Sequence, residues 1–510
     1  MNIAIRVDAS IYIGSGHVMR CLVLAEALAK QGHQLTFFCR PQQGDLIDFI
    51  LNKGFAVTRL NQATTEKIPQ HSADYQAWLQ VPWQQDADDV IAQCDTIDLM
   101  IVDHYGINAP WEDHVKTQLS CLVFVIDDLV RTHNADAILD QTLHRQAQAY
   151  QSCHHNTPLL MGGDYALLNP VFLHARKKAL QAAASPLPSP INLLITMGAV
   201  DQPNATLHVL NALAKITHER PIVTVLLNHS APHYQCVVDF CQQHRDWVSH
   251  HPFVENMAEL MLTQHLVIGA PGTTAWERAC LGLPSIIVPI AENQLTMSTQ
   301  LAKAGAAISV ELSAISSTLL TAYYSLLEHW QSMRTINFAL CDGLGVRRVA
   351  HYIEQLLMRS SPQVLLRNAT VADIKQVYDW QLQPSTRQYA LTPSVPTWSA
   401  HQTWMKTQLS TLSNPFYIIT LAETGEAIGV VRLAAQNAVY LISIYLGHQH
   451  IGKGYAKAAL ACIDALHPTW TIKATVLVEN TASHALFSAA NYHQTRSDTF
   501  IRFPLSQRLV

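Results

Sequence analysis

The chain has 510 residues, 49% of them apolar and 14% charged, with a net charge of −5. That length holds two to four domains at roughly 150 residues each, with apolar material for several cores. No block of Lys and Arg interrupts the slightly acidic balance, which excludes nucleic acid and anionic membrane as implied partners, and no apolar run approaches the ~18 residues of a membrane span.

The 10 cysteines are scattered without a C-x-x-C pair, as expected of reduced thiols in a cytoplasm. Among the 26 histidines, the adjacent pairs His154–His155 and His250–His251 lack metal-ligand spacing, and no metal is expected. The N-terminus enters an apolar stretch at once, with no basic leader, so a cytoplasmic location is the expectation.

In chain order, the first strand candidate is Ile3–Val7, followed by the stretch Asp8 to Arg20, DASIYIGSGHVMR. Val18, Cys21, Leu22, Ala25 and Leu28 then recur at helical spacing up to Gly32. A strand, a glycine-bearing turn and a helix make an anion site. Gly14 and Gly16 admit a phosphate close to the backbone, and His17 at the helix start titrates near neutral pH. Further strands are expected at Gln34–Cys39, Leu99–Asp103 and Cys121–Asp127, and strands alternating with helices argue for a parallel sheet. Polar residues gather at the strand ends: Asp8 and His17, Asp103-His104-Tyr105, and Asp127-Asp128. Each Asp alone reads more readily as a helix cap, and their shared location strengthens the functional reading.

The segment from Ala182 to Pro190, AAASPLPSP, is a linker by composition. A second α/β pattern begins with Ile191–Met197 and Gly198-Ala199-Val200-Asp201, with strands at Ile222–Leu227, Leu266–Gly269 and Ser285–Pro289. Gly269-Ala270-Pro271-Gly272-Thr273-Thr274 follows a strand and opens a helix that carries Glu277. Its amides and hydroxyls suit a diphosphate, and a carboxylate one turn further in can accept from both ribose hydroxyls. A capped helix with a solvated Glu277 is the plain alternative. The polar loop Ala291-Glu292-Asn293-Gln294 falls at the same rim. Two sheet domains facing a cleft are expected.

The motifs RVDASIYIGSGHVMRC, VDHYG, IDDL, GGDYALLNP and GAPGTTAWERACLGLPSIIVPIAENQ occur in this order over about residues 1–355. They resemble the UDP-2,4-diacetamido-2,4,6-trideoxy-β-L-altropyranose hydrolases of pseudaminic acid biosynthesis, a family similar to the two-domain glycosyltransferases of the MurG type. The resemblance implies two Rossmann-like domains of GT-B type, 1–180 and 190–357, with His17 as catalytic base. It implies a uridine diphosphate cradle at Gly198, Gly269, Gly272 and Thr273, with Glu277 on the ribose and Asn293 and Gln294 on a further substrate loop. Asp8, Arg20, Tyr105, Asn169 and Asp201 complete the substrate-binding candidates. Where the family often reads Tyr-Ala-Leu-Leu-Arg, this chain carries Asn169 in place of the Arg.

Met358 to Pro362 forms a second boundary, and a third domain is expected over 364–510. Val364–Arg367 reads as a strand, Ala372–Trp380 as a helix, and Phe416–Leu421, Ala427–Leu433 and Val439–Leu446 as strands turned by residues such as Thr424-Gly425. Gln449-His450-Ile451-Gly452-Lys453-Gly454-Tyr455-Ala456 then leads into the helix Ala456–Leu466. Q-x-x-G-x-G between strand and helix, with Asn480 and Ser483 after another strand, resembles the GNAT acetyltransferases. The resemblance implies an α+β domain that takes acetyl-CoA as co-substrate. The loop from Ile451 to Ala456 would hold its pyrophosphate, the backbone at Ile444 and Leu446 its pantetheine arm, and Asn480 and Ser483 its thiol end. Many members carry a Tyr as general acid where this chain has Phe487; Tyr492 nearby is not assigned that role. Trp380, Arg387, Trp398, His401 and Trp404 are candidates to meet an amine, or core aromatics.

The expected activity is hydrolysis of UDP from the diacetamido sugar with inversion, joined to acetyl-CoA-dependent N-acetylation of its UDP-linked 4-amino precursor. The partners are then a UDP-linked amino sugar and acetyl-CoA. Transfer of the sugar to an acceptor, a non-catalytic nucleotide-sugar module, and acetylation of a protein or small amine stay open as alternatives.

Overall fold

A computed structural model describes residues 1–71, 73–150, 157–183, 185–198 and 200–505. The His154–His155 pair, Ala184 of the linker and Ala199 lie outside the described residues. The chain forms two compact units that divide between Val346 and Arg347.

The first unit holds two sheets. Strands β1 (Asn2–Val7), β2 (Gln34–Cys39), β3 (Ala56–Arg59), β4 (Leu99–Asp103), β5 (Leu122–Ile126), β6 (Ala137–Asp140) and β7 (Leu159–Met161) take the order β3-β2-β1-β4-β5-β6-β7. The pairs from β3 through to β6 are parallel. Chain order reverses between β1 and β4, the place where an open parallel sheet collects ligands. The register sets Val7 opposite Asp103, so the segment after β1 leaves the sheet beside Asp103. A helix, Gly16–Lys30, follows and buries Val18, Cys21, Leu22, Leu24, Ala25 and Leu28.

The second sheet repeats the plan with β8 (Asn192–Thr196), β9 (Ile222–Leu226), β10 (Val248–His251), β11 (Leu266–Gly269), β12 (Ser285–Ile287) and β13 (Ala307–Ser309), in the order β10-β9-β8-β11-β12-β13. All its pairs are parallel. Thr196 stands opposite Gly269, so the loops after β8 and β11 emerge side by side. Among the described residues, no regular element lies between Gln181 and Asn192, where the linker was expected.

The second unit carries β14 (Val364–Asn368), β15 (Phe416–Leu421), β16 (Ala427–Gln436), β17 (Val439–Leu446), β18 (Ile472–Thr475), β19 (His493–Arg496) and β20 (Thr499–Arg502), in the order β14-β15-β16-β17-β18-β20-β19. Every pair is antiparallel except β17 with β18. The helices Ile374–Leu382 and Trp398–Ser410 pack Ile374, Val377, Trp380 and Met405 onto Phe416, Ile418 and Val430. Among the described residues no helix is long and apolar enough to cross a membrane.

One feature of β1 is invisible in its apolar pattern. Arg6 is fully buried and bonds Asp8 at 2.6 Å and Asp86 at 2.7 Å. Buried Arg40 reaches the same Asp86 at 2.8 Å, and the Trp111 indole donates to it at 3.0 Å. Breaking a buried ion network from one side leaves charge uncompensated. Asp86→Ala is expected to lower the unfolding free energy by about 3–5 kcal/mol, read from urea denaturation.

Candidate active site

The segment after β1 is folded on Ser10. Its hydroxyl accepts from the amides of Tyr12 and Ile13, and its carbonyl accepts from the amide of Gly14 at 2.8 Å. Gly14 has φ of +78°, a left-handed conformation that closes the turn and delivers the chain to the helix at Gly16.

The next residue, His17, is 9% exposed, and its Nδ1 lies 2.6 Å from Asp103 Oδ1. Arg20, one turn on, grips the same carboxylate with Nε and Nη2, both at 2.7 Å, and reaches Asp128 with Nη1 at 2.7 Å. The Tyr105 hydroxyl also donates to Asp128 at 2.9 Å. Burial alone would raise the Asp103 carboxyl, but Arg20 and His17 outweigh it and hold the group well below the usual carboxylate range. An ionised Asp103 accepts, so Nδ1 of His17 donates, and of the two neutral tautomers this contact selects the one with its lone pair on Nε2. That is the tautomer a general base requires.

The wall around His17 is aromatic. Tyr105 packs edge-on at 4.7 Å and Trp78 at 6.2 Å, while Trp78 and Tyr105 stack at 5.7 Å and Tyr75 meets both. The second sheet closes on this loop: a Cβ placed on Gly16 would lie 3.5 Å from Thr273 Oγ1. The turn carrying His17 and the loop after β11 therefore stand in van der Waals reach. Gly269 is required by close approach, since a Cβ there would strike the carbonyl of Thr196. Gly272 is exposed, with open space where a side chain would stand. Glu277 follows on the helix Thr274–Cys280, with one carboxylate oxygen buried and unpartnered. Burial pushes its carboxyl up to about 7, against the pull of Arg278.

Several candidates have side chains already occupied by the fold. Asp8 accepts from Arg6 and from the Arg40 amide, with His104 3.4 Å away. Asn169 accepts from the Val171 amide and caps the helix Pro170–Gln181. Asp201, at φ of +42°, accepts from the amides of Ala205 at 2.8 Å and Thr206 at 2.9 Å. These three shape the loops rather than present free groups. Gln294 accepts from the Ile290 amide and fixes its own turn, while Asn293 is exposed.

In the second unit, β17 pairs with β18 only at Tyr440 and Leu441, so from Ile442 to Leu446 its edge on that side is open. Beyond it, Gly452 and Gly454 have φ of +81° and +83° and lead into the helix Tyr455–Leu466. Gln449 turns to His450, which lies 3.3 Å from Glu426. Asn480 caps the helix Thr481–Ser488 by accepting from the Ser483 amide. Phe487 is buried against Tyr492 and Phe500 and carries no proton to give. Trp380 belongs to the core, and the buried His401 bonds the carbonyl of Ile374. Arg387 holds Gln381, whose amide reaches the Tyr445 hydroxyl at 3.4 Å, and Arg432 lies over the Trp404 ring.

Asp103 and Asp128 stood out in the sequence only as polar residues at or just past a strand end, and Tyr75 and Trp78 beside His17 and Gln381, Arg432 and Tyr445 in the second unit had no such signal.

Residues 192–335 match the Glycosyltransferase family 28 C-terminal domain, and residues 363–492 match the Acetyltransferase (GNAT) domain. The chain is 25% identical over 309 residues to the UDP-2,4-diacetamido-2,4,6-trideoxy-beta-L-altropyranose hydrolase of Campylobacter jejuni subsp. jejuni, covering 60% of this chain and 97% of that protein. It is 22% identical over 522 residues, and 97% of each chain, to an uncharacterized protein of Methanocaldococcus jannaschii. The crystal structure of Acinetobacter baumannii MurG matches 69% of this chain and 99% of its own at 15% identity and a TM-score of 0.50. The first unit thus has the expected GT-B architecture, the second is a GNAT acetyltransferase domain, and the chain is an enzyme.

Another buried imidazole braces the rim. His133 Nδ1 meets Glu112 at 2.6 Å and its Nε2 meets Asp127 at 3.2 Å. Burial would lower it, but the hydrogen bonds to Asp127 and Glu112 prevail and push it up to about 9. A raised histidine stabilises fully below its unfolded value, and the contribution is lost as pH rises through the folded one. Wild-type protein is therefore expected to lose thermal stability between pH 7 and about 9, and His133→Gln to lack that component of the slope.

Proposed function

We propose that the first unit hydrolyses UDP from UDP-2,4-diacetamido-2,4,6-trideoxy-β-L-altropyranose, and that the second N-acetylates the UDP-linked 4-amino precursor of that sugar. The observation that carries the first part is His17, held through Nδ1 by an ionised Asp103, beside the Thr273 loop of the opposite sheet. Nε2 of His17 takes a proton from water as the water oxygen attacks the anomeric carbon. The bond to the diphosphate breaks, and the loops after β8 and β11 receive the departing charge through their backbone amides. Glu277 accepts from the ribose hydroxyls. Attack from the face opposite UDP inverts the anomeric centre, the stereochemistry of a single displacement. Tyr75, Trp78 and Tyr105 give the sugar an apolar wall and keep bulk water from His17.

For the second unit the co-substrate is acetyl-CoA, which supplies an activated acetyl thioester. The residues present fit it. The open edge of β17 offers backbone groups to an extended amide arm, and Gly452, with open space where a side chain would stand, lets a pyrophosphate approach the amides of its turn. To Arg387, Gln381 and Tyr445, joined by hydrogen bonds, we assign the holding of the amino sugar. Both co-substrates belong to the cytoplasm, where we place the protein.

Purified chain given the diacetamido nucleotide sugar is expected to release UDP in water alone, with an inverted anomer as the first sugar seen by NMR. His17→Ala should lower kcat by roughly 10²–10⁴-fold while UDP affinity holds. Release that requires an added sugar acceptor would make the unit a glycosyltransferase, and an unchanged rate in His17→Ala would refute the mechanism. With acetyl-CoA, mass spectrometry should show one acetyl group added to the 4-amino nucleotide sugar, and none without it.

A further inference from the structure

Arg278 stands one residue beyond Glu277 and is 1% exposed. Its Nη2 donates to the Ala270 carbonyl at 3.0 Å, while Nε and Nη1 are buried with no partner. Nη1 lies 3.0 Å from where Gly269 would carry a Cβ, which places the guanidinium behind the seam where β8 and β11 end. The loops leaving that seam are those assigned above to the diphosphate.

The other buried arginines of this unit are compensated. Arg6 and Arg40 share Asp86, Arg20 has Asp103 and Asp128, and Arg176 donates to the carbonyls of Cys280, Phe338 and Cys341. Arg278 has one carbonyl and no ion pair among the described residues. The acid acting on it is Glu277, whose own carboxyl burial holds up near 7. An unpaired buried cation destabilises a fold unless a charge arrives to meet it.

We propose that Arg278 is a positioning residue for the nucleotide's diphosphate: its buried charge is completed by the bound anion, and its grip on the Ala270 carbonyl turns the following amides toward the cleft. This rests on the reading of the loops after β8 and β11 as the diphosphate site. Its guanidinium is buried, so it acts through the low-dielectric interior and through the loop it pins. The ligand class is a nucleoside diphosphate, with the phosphates and not the base feeling the residue.

The test compares wild type with Arg278→Met and Arg278→Lys by thermal unfolding and by calorimetric titration with UDP and with uridine. Without nucleotide, Arg278→Met should unfold at or above the wild-type temperature, because an uncompensated charge has been removed. Its UDP affinity should fall about tenfold or more, with a smaller UDP-induced rise in unfolding temperature, while uridine affinity is unchanged. Arg278→Lys should recover part of the UDP affinity. An Arg278→Met protein that is less stable than wild type without nucleotide, or that binds UDP as tightly, overturns the proposal, as does an equal loss for UDP and uridine. Wild type that gains no stability from UDP overturns the nucleotide reading itself, a result separate from any difference between the variants.

Discussion

The first site depends on one carboxylate kept ionised where water is excluded. Asp103 is fully buried at the end of β4 and accepts from His17, twice from Arg20, and from the Cys21 thiol at 3.5 Å. All the groups that hold it come from a single helix across a single strand junction, so the β1–β4 register and the start of the helix at Gly16 decide its charge. That charge fixes the tautomer of His17 and the position of its ring. Arg20 is thereby committed to Asp103 and Asp128.

The two sheets of the first unit treat buried charge in opposite ways. Around β1 and β4, cations and anions are matched: Arg6 and Arg40 with Asp8, Asp86 and Asp89, Arg20 with Asp103 and Asp128. This is a rigid, prepaid arrangement that orients a base without changing state. At the end of β11 the match is incomplete, with a Glu277 oxygen and two Arg278 nitrogens left unpartnered. One end of the unit thus closes its buried charges among themselves, and the other leaves a buried cation without an ion pair among the described residues.

The strands that position the sites were legible because they are apolar runs between turn residues, and Leu99–Asp103, Gln34–Cys39 and Leu266–Gly269 fall where the pattern places them. Ala56–Arg59 and Val248–His251 were not, being short edge strands whose threonine, arginine and histidines carry no alternation. His17 was visible from its glycines. Its partner was not, since Asp103 lies 86 residues away and an aspartate ending a strand looks like any helix cap. Arg278 is hidden for a similar reason: beside Glu277 on a helix it reads as a solvated charge, and only the close approach of β8 at Gly269 reveals that it is buried. Phe487 was legible as an absence of the usual hydroxyl, and its place in an aromatic cluster with Tyr492 and Phe500 shows that packing has taken the position over.

Three of the chain's glycine-bearing turns between strand and helix, at Gly14–Gly16, Gly269–Gly272 and Gly452–Gly454, carry its candidate sites, and the turn by itself explains only anion binding. What separates the three is the side chain each turn delivers. The first brings an imidazole against an ionised carboxylate, so it can move a proton. The second brings Thr273 to the facing loop and a half-buried Glu277 one turn further on, with no imidazole among them. At the third, His450 is spent on Glu426 and Gln449, so the turn delivers no imidazole for proton transfer. In that unit the chemistry has to come from the open edge of β17 and from the residues that face it.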